Sequence, residues 1–97
     1  MAKRLTSVFT DNMDCCIFTG SYDVERHHIY GGSNRKLSEQ YGFVVPLRYD
    51  LHPNGARVNP KYGQKVDIKL KQMGQEYFEA NYGSREDFRQ LFGRSYL

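Results

Sequence analysis

The clearest hydrophobic periodicity in this chain runs through residues 64–82. Apolar side chains recur there at i, i+4, i+7 and i+11, on one face of a helix: Val66, Leu70, Met73 and Tyr77. Lysine, glutamine and glutamate occupy the opposite face, so the pattern predicts an amphipathic helix that ends at Gly83. We expect the apolar face of this helix to lie in the core.

A second, shorter helix is predicted directly after the first. Ser84 is a typical N-cap, and Asp87 stands three residues later, where it can complete a capping box. The apolar face of this helix would consist of Phe88, Leu91 and Phe92, and Gly93 would end it.

The first two thirds of the chain show short apolar runs instead of helical periodicity. Residues 22–30 favour a strand that stops at two glycines, and residues 43–47 form a β-rich run in which Pro46 indicates an edge strand or a strand end. A short helix capped by Ser33 and ended by Gly42 would connect them. Residues 15–20 are predicted to form a tight turn that pairs with the first strand like a hairpin.

These elements predict a small single α+β domain. Residues 1–14 would be an N-terminal arm, residues 15–63 a strand-rich core, and residues 64–97 the two C-terminal helices. The 97-residue length fits one domain. The net charge of +3 fits a nucleic-acid partner without establishing one.

Composition also bears on the cellular setting. No run of about 20 apolar residues that could span a bilayer is present, and no signal peptide is visible. Cys15 and Cys16 are adjacent and have no other cysteine to pair with, which favours a reducing, cytoplasmic setting and a packing role for both thiols.

The histidines carry the candidate chemistry. His27 and His28 are adjacent at the end of the predicted strand, and His52 follows 24 positions after His28. Neighbouring side chains on a strand point to opposite faces, so one imidazole could hold a metal while the other faces a substrate. Phosphodiester hydrolysis needs a base, a divalent cation and a rigid frame, and neutral imidazole can serve as the base. The plainer alternative is a surface pair of histidines with no ligand.

The motif His27-His28, a glycine-rich loop, a β-rich run and then His52 resembles the HNH nucleases, which have a ββα-metal core. The run from His27 to Gly42 and the segment from Leu70 to Leu97 look more specifically like a small phage and prophage family of the HNH type. The resemblance implies a metal-dependent DNA endonuclease in which His28 is the general base and His27 and His52 bind the metal.

The chain departs from the pattern of that family at several positions. Many relatives carry two cysteine pairs that bind zinc. The first pair would fall here on Cys16 and Thr19, and the second on Arg48 and Leu51. One cysteine cannot build a tetrahedral thiolate site, so we predict no structural zinc. The middle Asn of the motif would fall near Phe43 and is missing, and Asn34 is too close to His28 to replace it.

Four further residues complete the candidate site. Asp50 could orient His52 through its other ring nitrogen, or belong to an ordinary surface turn. Arg35, Lys36 and Arg48 could contact DNA phosphates, or simply be solvated. The resemblance implies Mg²⁺ or Mn²⁺ as the metal, with Ni²⁺ or Zn²⁺ as alternatives because imidazole ligands suit them.

Two functions of different classes follow. The first is the DNA endonuclease, expected in the cytoplasm of a bacterial host, for which a two-fold dimer would allow both strands to be cut. The second is a weakly active or inactive binding protein on the same scaffold, such as a phage inhibitor of a host defence nuclease or an accessory of DNA packaging or recombination. Its partner would be a host or phage protein.

Overall fold

The computed structural model describes residues 6–53 and 55–97. Over these residues the chain forms two strands and three α-helices, which confirms the predicted α+β class. In chain order they are β1 Val24–His28, α1 Arg35–Tyr41, β2 Val44–Arg48, α2 Pro60–Asn81 and α3 Arg85–Phe92. The first five residues of the predicted N-terminal arm lie outside the described residues. No helix of the described part has the length and hydrophobicity needed to cross a bilayer.

The two strands form an antiparallel sheet in which Val24 lies opposite Arg48 and His28 opposite Val44. The connection between them holds a short 3-10 turn, Gly32–Asn34, and then α1. Each strand is an edge of a two-stranded sheet, which suits Pro46 because it has no N–H to donate. The Pro46 carbonyl accepts a hydrogen bond from the Ile17 N–H at 3.2 Å.

The predicted hairpin between residues 15–20 and the first strand is wrong, because β1 pairs with β2 instead. Residues 15–20 fold back on themselves. The Gly20 N–H donates to the Cys16 carbonyl at 2.9 Å, and the Cys16 N–H donates to the Ser21 carbonyl at 2.7 Å. A turn that satisfies its own backbone groups in this way has few left for a sheet partner.

An aromatic core joins the sheet to the helices. Its buried members come from β1, β2 and their flanks, and from α2 and α3: Ile29, Tyr30, Phe43, Val45, Leu47, Leu70, Phe78, Phe88 and Phe92. Tyr30 lies at the centre, with its ring centroid 4.6 Å from that of Phe92. Its hydroxyl donates to the Lys71 carbonyl at 2.6 Å. Gly74 makes this approach possible, since a Cβ there would lie 2.6 Å from the Tyr30 oxygen.

The helix ends follow local signals that the sequence shows only in part. The Ser84–Asp87 capping box of α3 is present, and the buried Phe88 and Phe92 confirm its apolar face, but Leu91 is 41% exposed and that part of the prediction is wrong. α2 starts at Pro60, several residues before its periodicity becomes visible, with the Asn59 side chain accepting from the Lys61 N–H.

The ends of α1 also differ in how well they were predicted. Gly42 ends α1 in the left-handed conformation, as predicted. Ser33 does not cap α1. It lies in the preceding 3-10 turn. Asn34 occupies the N-cap position, but its side chain makes no capping hydrogen bond to the first turn of α1.

Candidate functional site

The adjacent histidines end β1 and point to different surroundings. His27 lies opposite Val45 in the sheet and is only 3% exposed, whereas His28 is half-buried. This split follows from strand geometry, in which successive side chains alternate between the two faces. Glu25, two residues before His27, therefore shares its face.

The structure brings His52 against His27. His52 follows the turn after β2, in which the Leu51 N–H donates to the Arg48 carbonyl at 2.8 Å. The Asn59 N–H donates to the Asp50 carbonyl at 2.8 Å and holds this loop to the start of α2. The two imidazole centroids are 4.8 Å apart with the rings nearly perpendicular, at 87°. Residues distant along the chain thus form one imidazole pair.

Glu25 joins this pair, and the sequence reasoning missed it. Its Oε1 lies 3.3 Å from His52 Nδ1. The available signal was its position at i−2 from His27 on a strand, which puts both side chains on one face. Predicted Asp50 has a different neighbour, since its Oδ1 lies 3.0 Å from Arg48 Nε. Glu25 is therefore the carboxylate placed beside His52.

Several buried polar atoms of this cluster lack a hydrogen-bond partner among the described residues. They are Glu25 Oε1, His27 Nε2 and His52 Nδ1. Glu25 and His52 are within ion-pair distance but are not aligned as a hydrogen bond. A buried polar atom left unpaired costs about 1–3 kcal/mol, so a group of them calls for a ligand.

Gly55 covers the same cluster. A Cβ at this position would lie 2.8 Å from Glu25 Oε1 and 2.9 Å from His52 Nδ1. Because Gly55 has no side chain, there is space beside Glu25 Oε1 and His52 Nδ1 for a further atom.

Both imidazoles of the pair are held in the neutral form. Burial, and after it the nearby His52, Lys71 and His28, lower the pKa of His27 to about 3. Burial also lowers the pKa of His52, although Glu25 opposes that shift. Neutral imidazole is the form that binds a metal ion, so the electrostatics of the pair suit a cation.

These side chains are of the types that bind a divalent cation, but their donor atoms are not arranged around a single point. Across residues 6–53 and 55–97, no three His, Cys, Asp or Glu side chains are arranged closely enough to hold a metal ion. His27 and His52 would be the protein ligands, and Glu25 the nearest carboxylate. Two imidazole nitrogens and one carboxylate oxygen suit first-row transition metals better than Mg²⁺.

His28 occupies the wall of a neighbouring cleft. Its Nε2 lies 2.8 Å from Glu39 Oε1 on α1, which orients the ring and leaves Nδ1 for another partner. The cleft has a volume of about 340 Å³ and is also lined by His27, the Gly31-Gly32 loop, Asn34, Asp67 and Lys71. The two adjacent histidines therefore reach one cavity despite their opposite orientations.

The loop after His28 is fixed by two polar side chains. Ser38 Oγ accepts from the Tyr30 N–H at 2.9 Å and donates to the Tyr30 carbonyl at 2.8 Å. Asn34 Nδ2 donates to the Phe92 carbonyl at 2.9 Å, which ties the loop to the end of α3. Phe43, where the motif Asn would fall, is fully buried in the core. Rigidity of the loop thus comes from other residues.

The ammonium group of Lys71 also lines the cleft, and it was not predicted from the sequence. Lys71 Nζ lies 2.9 Å from Asp67 Oδ2 and 5.4 Å from the centroid of the Tyr96 ring. Both Asp67 and Lys71 come from α2, one turn apart. Helical spacing indicates that they share a face, but only the packing of α2 against β1 shows that this face meets the histidines.

The predicted phosphate contacts are spread over two elements. Arg35 and Lys36 are exposed on the first turn of α1, and Arg48 ends β2 with its guanidinium paired to Asp50.

The backbone of Arg48 also contacts the turn at residues 15–20, through a hydrogen bond to the Cys16 thiol. Burial by itself would raise the pKa of the Cys16 thiol, but hydrogen bonds from Thr19 and from backbone N–H groups, including that of Arg48, lower it overall.

Comparisons of this chain with protein-family models, with curated proteins and with solved structures find no match.

Proposed function

We propose that this protein is a metal-dependent nuclease of the HNH type that hydrolyses phosphodiester bonds in DNA. The observation that carries the proposal is the contact between His27 and His52, in which His27 Nε2 and His52 Nδ1 are buried without a hydrogen bond, with His28 on the adjoining cleft wall. Contact between two imidazoles from distant segments, with the third on the wall of the adjoining cleft, is the arrangement that the resemblance to HNH nucleases leads one to expect.

His28 is the proposed general base. Glu39 holds Nε2–H, so Nδ1 is the free nitrogen and would take a proton from a water molecule in the cleft. Glu39 also stabilises the imidazolium that this proton transfer creates. The Ser38 hydrogen bonds to Tyr30 keep the strand end in place while the ring changes charge.

His27 and His52 are the proposed metal ligands, with Glu25 as the carboxylate that supports His52 or joins the coordination. A bound divalent cation supplies charge stabilisation for the leaving oxygen of the phosphodiester. Lys71 faces the same cleft and would contact a phosphate oxygen of the substrate. Arg35 and Lys36 would add non-specific attraction for the DNA backbone.

Plasmid nicking with a panel of Mg²⁺, Mn²⁺, Ni²⁺ and Zn²⁺ tests the catalytic proposal. Wild type should nick with at least one metal, and His28→Ala should lose about 10²–10⁴ of that rate, the usual contribution of a general base. Arg89→Ala on α3 is a matched surface control, because it removes one exposed charge from a residue that does not line the cleft. Wild type that binds metal but does not nick any substrate would exclude the nuclease.

Metal binding is tested separately by isothermal titration calorimetry. His27→Ala and His52→Ala should each abolish binding of Mn²⁺ or Zn²⁺, whereas His28→Ala should retain it. Equal binding by all three variants would show that the metal sits elsewhere.

The second candidate is a binding protein on the same scaffold that has lost catalysis. It is favoured by one observation, that the described donors do not converge as a three-ligand metal site. In that case wild type would neither nick DNA nor bind a divalent metal tightly. Only binding of a macromolecular partner would slow the exchange of protons between the histidine cluster and solvent.

A further inference from the structure

An apolar groove lies along α2, away from the histidine cleft. Its wall combines aromatic, aliphatic and basic side chains from the turn at residues 15–20, from the loop after β2 and from α2: Phe18, Leu51, Tyr62, Lys65, Val66 and Lys69. Phe18 is 40% exposed and Tyr62 is 42% exposed, so two large aromatic surfaces face solvent at this groove. We call it the α2 groove.

A row of lysines follows the groove. Lys61, Lys65 and Lys69 stand four residues apart on the exposed side of α2, so they form a row about 12 Å long at 1.5 Å per residue. In the described part of the chain, no acidic side chain lies within ion-pair distance of any of the three. Lys61 Nζ also lies 5.6 Å from the centroid of the Tyr62 ring.

Helix stability does not explain this row. Positive charges near a helix N-terminus are unfavourable because they oppose the helix dipole, and the first turn of α2 holds no acidic residue. α3 shows the stabilising arrangement, with Glu86 and Asp87 in its first turn and Arg89 in its last. Of the three lysines only Lys61 lies in that first turn, against the local preference. Lys65 and Lys69 add like charges at i,i+4, which also disfavours the helix, so the row is not a helix-stabilising arrangement.

We propose that the α2 groove binds single-stranded nucleic acid. The row of lysines matches a linear polyanion, and exposed aromatic rings offer faces on which unpaired bases stack. An acidic peptide would satisfy the charges, but the aromatic surfaces favour bases. The choice of nucleic acid rests on the proposed function.

The test is fluorescence anisotropy with a short fluorescein-labelled oligothymidylate and with a duplex of equal length. EDTA is present, so binding is measured without cleavage. Wild type should bind the single strand more tightly than the duplex. The Lys65→Gln/Lys69→Gln double variant should weaken binding and lower the slope of log affinity against log salt by about 1.4, since each phosphate contact to a single strand contributes about 0.7.

Phe18→Ala tests the stacking part of the proposal. It should weaken single-strand binding roughly tenfold, because one base stacked on an aromatic side chain contributes about 1–3 kcal/mol. Phe18→Trp should retain the affinity. Arg85→Gln/Arg89→Gln on α3 is the matched control, because it removes the same charge from another helix and should leave the salt slope nearly unchanged.

Several outcomes would overturn the inference. They are a wild type that binds no oligothymidylate, a preference for the duplex, equal losses in the α3 control, or full affinity in Phe18→Ala. Binding of a labelled amphipathic acidic peptide without binding of oligothymidylate would assign the groove to a protein partner instead. Nicking assays on the same variants, with divalent metal in place of EDTA, separate the two proposals, since loss of nicking with intact oligothymidylate binding removes only the nuclease.

Discussion

The aromatic core and the histidine cluster both contain buried polar atoms, but these atoms have hydrogen-bond partners in the core and lack them in the cluster. In the core, the Tyr30 hydroxyl, Ser38 Oγ and the Gln75 amide all have hydrogen-bond partners. In the cluster, Glu25 Oε1, His27 Nε2 and His52 Nδ1 have none. The core thus satisfies its own polar atoms, whereas the cluster leaves polar atoms that require a ligand, a proton or an ordered water.

The largest effect is expected from the core. Phe88→Ala should lower the free energy of unfolding by about 3–5 kcal/mol, because it removes a fully buried ring that contacts Tyr30, Phe78 and Phe92. Urea denaturation followed by circular dichroism measures the change. A loss below about 1 kcal/mol would show that the core repacks easily.

The cluster should make the metal-free protein sensitive to acid. The pKa of His27 falls from 6.5 unfolded to about 3 folded, so the unfolded state binds more protons between these values. The stability contribution is complete above pH 6.5 and declines as the pH falls toward 3, by about 1.4 kcal/mol per pH unit for one proton. Denaturation in EDTA at pH 6 and pH 4 measures it.

His27→Leu serves as the reference for that titration. Its stability should fall less between pH 6 and pH 4 than that of wild type, because the group that takes up the proton on unfolding is gone. Parallel pH profiles for the two proteins would show that other groups govern acid unfolding.

Removing a satisfied polar group from the core should cost more than its size suggests. The Gln75 amide donates to Glu79 and Ser95 and accepts from the Tyr96 N–H at 2.7 Å. Gln75→Leu leaves the Tyr96 N–H without this partner and should lower the free energy of unfolding by about 1–3 kcal/mol. Hydrogen exchange should then show faster exchange at Tyr96, while unchanged protection there would contradict the prediction.

The smallest effect, and the one of opposite sign, is expected in the cluster at neutral pH. His27→Leu replaces a buried imidazole that has an unpaired nitrogen, so stability in EDTA should stay the same or rise by up to about 1 kcal/mol. Added metal should raise the melting temperature of wild type and not that of the variant. A strongly destabilised variant would mean that His27 is a structural residue like those of the core.

The predictions made from sequence succeeded where the signal was local. The Ser84–Asp87 capping box and the αL glycines at positions 42 and 93 depend on a few neighbouring residues, and the structure has all of them. The face of α2 that packs on the core followed from its period, except that Gln75, which was predicted on the polar face, is fully buried. The start of α2 was missed because Asn59 and Pro60 precede any periodic residue, and the pairing of residues 15–20 was missed because strand partners are not encoded locally.

Sequence alone determined the α+β class, the two C-terminal helices and the candidate histidines, because helix caps, hydrophobic period and residue chemistry act over a few positions. Tertiary packing alone decided that His52 reaches His27, that Glu25 joins them, and that Asp67 and Lys71 face the same cleft as His28. These contacts join segments far apart in the chain, and their geometry arises only when β1, β2 and α2 pack together.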